Sequence, residues 1–370
     1  MTAMVLDVDG LDALLARLRE ATDRVIGPVA RDGAVVYEDI GGVDDLPRGI
    51  VDEQGPGHYR IEHRDDEQRF GYAVGPHSWK RYLFPPSIEL MRARRTDDGA
   101  FAVDPAPAPT GTLAFVGARA CELHAIAIQD RVFAHDADYQ ARRANIVVVG
   151  VQCGAPAATC FCPSTGSGPD IGPGLGADVV LTEVLDGGGH RFVARADTDR
   201  GTELLRELPG RPATETDAGD AEAVLDRTRT AITRTLAVTG LDLRDLLAAT
   251  LEHDSWDEVA QRCLSCANCT LACPTCFCSA VDDVTDLDGE ATRVRRWDSC
   301  FTGAHSYIHG GSVHADTRSR YRQWLTHKLG TWWDQFDTSG CVGCGRCITW
   351  CPVGIDLTAQ VRALTQVEVR

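Results

Sequence analysis

The chemistry of this chain is concentrated in its cysteines. CLSCANCTLACP places Cys263, Cys266, Cys269 and Cys273 at the spacing C-x2-C-x2-C-x3-C, with Pro274 directly behind. CVGCGRCITWCP repeats the spacing with Cys341, Cys344, Cys347 and Cys351, followed by Pro352. Three thiolates two residues apart wrap a tight loop around three corners of a cuboidal cluster. The fourth leaves in another direction, and the proline ends the local backbone hydrogen bonding. In two-cluster ferredoxins that fourth cysteine ligates the other cluster. The spacing therefore assigns Cys263, Cys266, Cys269 and Cys351 to one 4Fe-4S cluster, and Cys341, Cys344, Cys347 and Cys273 to a second. Zinc is the competing reading, but it favours separated C-x2-C pairs over triplets. Two triplets with matching Cys-Pro endings point to iron–sulfur.

Seven of the fifteen cysteines remain. Cys153, Cys160 and Cys162 lie in VQCGAPAATCFCPSTGSGP, immediately after a strand-like run, and Cys121 ends the strand and loop of FVGARAC. Parallel neighbouring strands would bring these two loops together at the carboxyl end of a sheet. The four thiols then form a third 4Fe-4S set, with a buried hydrophobe as the alternative for Cys121. Cys276, Cys278 and Cys300 stay unassigned, as ligands to the third cluster, ligands to a further one, or structural thiols. His305, His309 and His314 lack a helical ligand spacing and read as polar core or surface side chains. One of them tuning or ligating a cluster is the other reading. GPGLG (172–176) falls short of a dinucleotide loop, and no phosphate loop or nucleophile elbow is present, so no catalytic residue is assigned.

The elements that must hold these thiols follow from periodicity. Leu11, Leu14, Leu15 and Leu18 make one apolar helix stripe, and the runs around Arg31-Asp32-Gly33 read as a hairpin. TLAFVG, ELHAIAIQDRVF and NIVVVGV (112–151) form a βαβ pattern, and Gly187-Gly188-Gly189 joins two further strand-like runs. VDPAPAPTG (103–111) reads as a stiff extended linker. Tyr321, Trp324, Leu325 and Leu329 stand at helical spacing between the two cysteine motifs and read as core packing. The expected fold class is α+β and multidomain. An N-terminal α/β region (1–108) and a middle α/β domain (109–218) precede a helical connector (219–262) and a ferredoxin-type dicluster domain (263–370).

Composition narrows the function. Hydrophobic residues at 44% and charged residues at 25% are ordinary globular values. A net charge of −17 argues against nucleic acid and anionic membranes as partners. No apolar run of about eighteen residues exists, and the acidic start does not read as a signal peptide, so a cytoplasmic protein is expected. A reducing cytoplasm disfavours a disulfide framework and leaves metal as the reason for so many thiols. The two lysines, Lys80 and Lys328, against a large excess of arginine read as genome composition.

Taken together, RACELHAIAIQDRVF, TCFCPSTGSGP, LSCANCTLACPTCFC, WDSCFTGAHSYIHGG and RYRQWLTHKLGTWWDQFDTSGCVGCGRCITWCPVGID resemble the beta subunit of cytoplasmic group 3b NiFe hydrogenases, or sulfhydrogenases. The related electron-transfer subunit of anaerobic sulfite reductase is similar too, and RYLFPPSIEL near residue 81 looks like the same family's N-terminal region. The resemblance implies an iron–sulfur electron-transfer subunit without bond-making chemistry of its own. It implies three partners: a large subunit with the NiFe site, a small iron–sulfur subunit, and a flavoprotein that reacts with NAD(P). A sulfite reductase complex, and a flavin-binding oxidoreductase subunit, are the alternative readings.

Overall fold

The computed structural model describes residues 3–287 and 289–366. Strand β1 (Ala3–Leu6) leads into helix α1 (Val8–Ala21), whose cap Asp7 accepts a hydrogen bond from Gly10 N at 2.8 Å. The expected stripe of Leu11, Leu14, Leu15 and Leu18 is buried against one face of the main sheet. Strands β2 (Arg24–Arg31) and β3 (Ala34–Asp39) form the expected hairpin. Its turn residues Asp32 and Gly33 are both left-handed, with φ of 49° and 77°, as a tight two-residue turn demands.

A separate ribbon, β4 (Ile50–Gly55) and β5 (His58–His63), is followed by the short helix α2 (Lys80–Leu83) and strands β6 (Ser87–Arg95) and β7 (Phe101–Pro105). The βαβ expectation holds: β8 (Leu113–Ala118), α3 (Ala120–Val132), α4 (Ala137–Ala144) and then β9 (Ile146–Val151), parallel to β8. Strands β10 (Val179–Asp186) and β11 (Gly189–Ala196) pair across the glycine turn, and α5 (Asp199–Leu205) leads to the short β12 (Arg211–Pro212). The main sheet has eight strands in the order β12-β1-β11-β10-β9-β8-β2-β3. The leucines of α1 and α5 cover one face; Leu123 and Ile126 of α3, with Trp79 and Phe84, cover the other.

The expected boundaries do not match these hydrogen bonds. β1, β2 and β3, from the region ahead of residue 109, share a sheet with β8 to β12 beyond it. A second, four-stranded sheet joins β6 and β7 to β13 (Ser279–Thr285) and β14 (Ala291–Trp297), so the C-terminal part pairs with the N-terminal part. The Pro-rich linker begins inside β7, a strand on the edge of that sheet, where a missing N–H is tolerated. The polar run near residue 218 is also structured. Thr214 caps α6 (Glu215–Ala231) in a reciprocal pair with Asp217, and the helix packs back on β10 and β11.

The remaining elements are a short ribbon, β15 (Tyr307–Ile308) and β16 (Gly311–Ser312), and the helices α7 (Gly240–Ala249), α8 (Ser255–Arg262), α9 (Asn268–Leu271), α10 (Thr317–Thr326), α11 (Trp332–Phe336), α12 (Arg346–Thr349) and α13 (Leu357–Thr365). Tyr321, Trp324, Leu325 and Leu329 lie in the core of this helical part with Trp256 and Val361. Among the described residues, no helix is long and apolar enough to cross a membrane.

Candidate iron–sulfur sites

The two cysteine motifs fold alike. α8 ends at Cys263, and the loop carrying Cys266 turns into α9, where Cys269 sits. Cys344 and Cys347 enter α12 in the same way, and Cys351 follows its end. Positions three and five of each motif are left-handed: Ser265 and Ala267 at φ of 52° and 68°, Gly343 and Gly345 at 60° and 74°. Such turns point successive backbone N–H groups inward, a concavity suited to an anionic group; Gly343 N donates to Cys341 Sγ at 3.4 Å.

A first cage is lined by Cys263, Cys266, Cys269 and Cys351, with Phe301, Tyr321, Trp324 and Ile355 as apolar walls. Tyr321 and Trp324 thus serve both as core and as cage lining. Cys266 is exposed at its rim, beside the exposed Leu264. Cys347, from the other motif, also lines this cage.

Around a second cage the charges of Cys341, Cys344, Cys347 and Cys273 act on one another. Both lysines of the chain are buried beside its Cys273 end. Lys328 Nζ donates to Cys273 Sγ at 3.3 Å, to Thr275 Oγ1 at 3.0 Å and to Gly340 O at 3.1 Å. Lys80 Nζ faces the carbonyls of Thr270, Leu271 and Cys276 at 3.3–3.5 Å and lies 4.0 Å over the Trp297 ring. Burial alone would discharge Lys328, but the neighbouring Cys273, Cys276 and Cys341 sulfurs hold its pKa well up. Cys273 is held well below the usual thiol range by a hydrogen bond from Cys276 and by the charge of Lys328.

A third cage gathers Cys121, from the first turn of α3, with Cys153, Cys160 and Cys162 from the loop after β9. Parallel β8 and β9 bring the two loops side by side, as the βαβ pattern required. Cys344 lines this cage as well. The loop at 159–162 is packed directly on the second motif: Phe161 N donates to Gly343 O at 2.7 Å. A Cβ on Gly343 would come within 2.5 Å of Cys162 N, and one on Gly345 within 2.4 Å of Thr159 O.

The electrostatics of the third cage fit an anionic guest. Burial pushes all four thiols upward, Cys162 to about 12. Yet two guanidinium groups are buried against them. Arg346 pairs with Glu122 at 2.6 Å, and Tyr37 OH donates to the other Glu122 oxygen at 2.6 Å. Arg119 directs its donors to carbonyls, Gln152 O at 2.7 Å, Phe70 O at 2.8 Å and Tyr72 O at 3.2 Å. A buried cation without a carboxylate of its own costs several kcal/mol, roughly, unless a negative charge faces it. Thiolates ligating a cluster would supply that charge. Zinc fits less well: its sulfurs would stand within about 4 Å of one another. Among the described residues no three His, Cys, Asp or Glu side chains converge closely enough for one ion.

Of the unassigned thiols, Cys276 contacts Cys273 as a hydrogen-bond donor. Cys278 and Cys300 contact each other outside the three cages. His309 is exposed, whereas His305 and His314 border a cavity with Cys278 and Cys300. Lys80, Lys328, Arg119 and Glu122 were not among the sequence-derived candidates. The rarity of lysine was the available signal for the first two.

Comparison with known proteins gives the same class of cofactor. Residues 262–355 match a family model described as a 4Fe-4S dicluster domain, the class of cofactor that the two cysteine triplets point to. The chain is 29% identical over 361 residues to the Sulfhydrogenase 2 subunit beta of Pyrococcus furiosus, covering 95% of this chain and 94% of that relative. The resemblance read from the sequence is thereby borne out. No solved structure matches the chain.

Proposed function

We propose that the chain is a relay of three 4Fe-4S clusters inside a cytoplasmic, NAD(P)-linked NiFe hydrogenase complex. Cys263, Cys266, Cys269 and Cys351 would hold the first cluster; Cys341, Cys344, Cys347 and Cys273 the second; Cys121, Cys153, Cys160 and Cys162 the third. Bound clusters supply one-electron redox chemistry. The chain's own residues fix the order, exclude water and set the local charge. The observation that carries the reading is contiguity: Cys347 borders the first cage as well as the second, and Cys344 borders the third. Three cages in a row with shared walls make a wire.

The wire meets solvent at the first cage, through Cys266. At the other end, Cys121, Cys153 and Cys160 are only partly exposed and Cys162 is buried. The similarity to a sulfhydrogenase beta subunit supports a hydrogenase as the assembly. The partners in this reading are a NiFe large subunit, a small iron–sulfur subunit, and an NAD(P)-reactive flavoprotein.

Anaerobic purification with cluster-assembly support tests it. Brown protein with about twelve iron and twelve sulfide per chain is expected, together with spin-resonance signals of interacting reduced clusters. Colourless protein that contains zinc overturns the relay. Flavin retained by the isolated chain through gel filtration, or co-purification with a sulfite reductase in place of a NiFe subunit, overturns the stated assembly.

A further inference from the structure

Cys278 and Cys300 lie outside the three cages and beside one another. Cys278 ends the segment entering β13, Asp298 follows β14, and Asp298 N donates to Cys278 O at 2.9 Å, extending the ladder by one pair. Two residues on, Cys300 lines the same cavity as Cys278, and the two thiols stand close enough for each to shift the other's ionisation. His305 contacts the Cys278 sulfur, and its Nδ1 sits 3.2 Å from Asp298 Oδ2. The result is a thiol, an imidazole and a carboxylate in line, with a second thiol against the first. The two thiols and the imidazole border one open cavity, with His314 and Trp324.

Two arguments separate this group from a metal site. Among the described residues no three such ligands converge on one ion, and thiols in contact are too close for neighbouring corners of a cuboidal cluster. The wall between this cavity and the first cage is thin. Trp324 lines both, Phe301 next to Cys300 lines the cage, and the charge of Cys269 is felt at Cys300.

We propose that Cys278 and Cys300 form a redox-active dithiol that exchanges with small disulfides and is recharged through the first cage. The Cys278 thiolate attacks one sulfur of a small disulfide, and one thiolate leaves. Cys300 then attacks the Cys278 sulfur of the mixed disulfide, releasing the second thiolate. One S–S bond breaks and one forms, and the two protein thiol protons pass to the leaving groups. Two electrons, arriving singly, and two protons reopen the Cys278–Cys300 bond; His305 is placed to return the proton to Cys278. Contacts with Cys300 and His305 also hold the Cys278 thiol well below its ordinary range, as an attacking thiol requires. Only the electron supply rests on the relay function.

The test uses the full chain, purified anaerobically with its clusters. Dithiodipyridine should release two thiopyridones per chain from this site, and peptide mapping should find Cys278 linked to Cys300. Cys300→Ser should stop at the mixed disulfide on Cys278, with iron content unchanged. After linkage and removal of excess reagent, reductive titration of the wild type should consume two more electrons per chain than the same protein never exposed to the reagent. Absence of the linkage, equal electron counts, or loss of iron or zinc from Cys278→Ser or Cys300→Ser overturns the proposal. Linkage in an iron-free, colourless chain supports the exchange while removing the relay, so the two failures are distinguishable.

Discussion

Lys328 Nζ lies 3.3 Å from Cys273 Sγ, in a site where the lysine is 2% exposed. A fixed positive charge at that range favours whichever state of the second cluster is more negative, the reduced one. At an effective dielectric of about 20, a unit charge 4–8 Å away contributes roughly 2–4 kcal/mol. Since about 2.3 kcal/mol corresponds to 100 mV for one electron, Lys328→Met should lower that cluster's potential by on the order of 100 mV. The first cluster, farther away, should move much less. Potentiometric titration followed by spin resonance reads both; an unmoved second potential refutes the assignment of Cys273 to that cage.

Iron stoichiometry separates ligands from neighbours. Cys160 faces Cys153 and Cys162 in the third cage, so Cys160→Ser should lose about four iron of about twelve. Cys276 only donates a hydrogen bond to Cys273, so Cys276→Ser should keep full iron. Full iron in Cys160→Ser removes the third cluster from the relay.

What the sequence makes legible is what is local. Triplet spacing, the leucine stripe of α1, the hairpin at Asp32-Gly33 and the βαβ unit each live within a few dozen residues, where periodicity and turn chemistry act. The juxtaposition of Cys121 with Cys153 follows from parallel pairing and could be read as well. The pairing of β6 with β14 could not, because strands about two hundred residues apart leave no local trace of their partnership. The same long-range contacts hide the role of the lysines. Nothing near Lys80 in sequence announces that it lies against the carbonyls at 270–276. Inside the motifs, Arg346 carries no spacing signal; it becomes meaningful only once Glu122 stands 2.6 Å away.

His77 gives the fold a pH dependence in an accessible range. Burial and then the charge of Arg81 push its pKa down to about 4. Arg81 Nη1 lies 2.9 Å from the ring Nδ1, a contact that only a neutral imidazole accepts. Unfolded histidine titrates near about 6.5. Above that pH neither state binds the proton; below it the unfolded chain binds and the folded chain does not. Stability should therefore fall as pH drops from about 6.5 toward 4. The half-buried His124 and His327 shift the same way, so the comparison must be with His77→Gln. Thermal unfolding of the cluster-loaded chain at pH 7.5 and 5.5 should show a smaller loss in the variant; an equal loss rules His77 out as a source.

Ala267 and Gly345 occupy the same position of the two motifs in the same left-handed conformation, with opposite consequences for substitution. A side chain in that region costs on the order of 1 kcal/mol, and Ala267 bears the cost. Ala267→Gly relieves it, partly offset by the greater freedom of the unfolded chain, and should leave stability unchanged or slightly raised. Gly345→Ala adds the same strain and also drives a Cβ to 2.4 Å from Thr159 O and 2.6 Å from Thr159 Oγ1. The 159–162 loop must then move off the second motif, at a cost of roughly 2 kcal/mol or more. Because that loop carries Cys160 and Cys162, the damage should be selective. Iron analysis of Gly345→Ala should show about four iron lost, with the spin-resonance signal of the first cluster intact and the melting temperature lowered. Full iron and unchanged melting would mean that the loop and the second motif do not lean on one another, and the shared wall at Cys344 would lose its support.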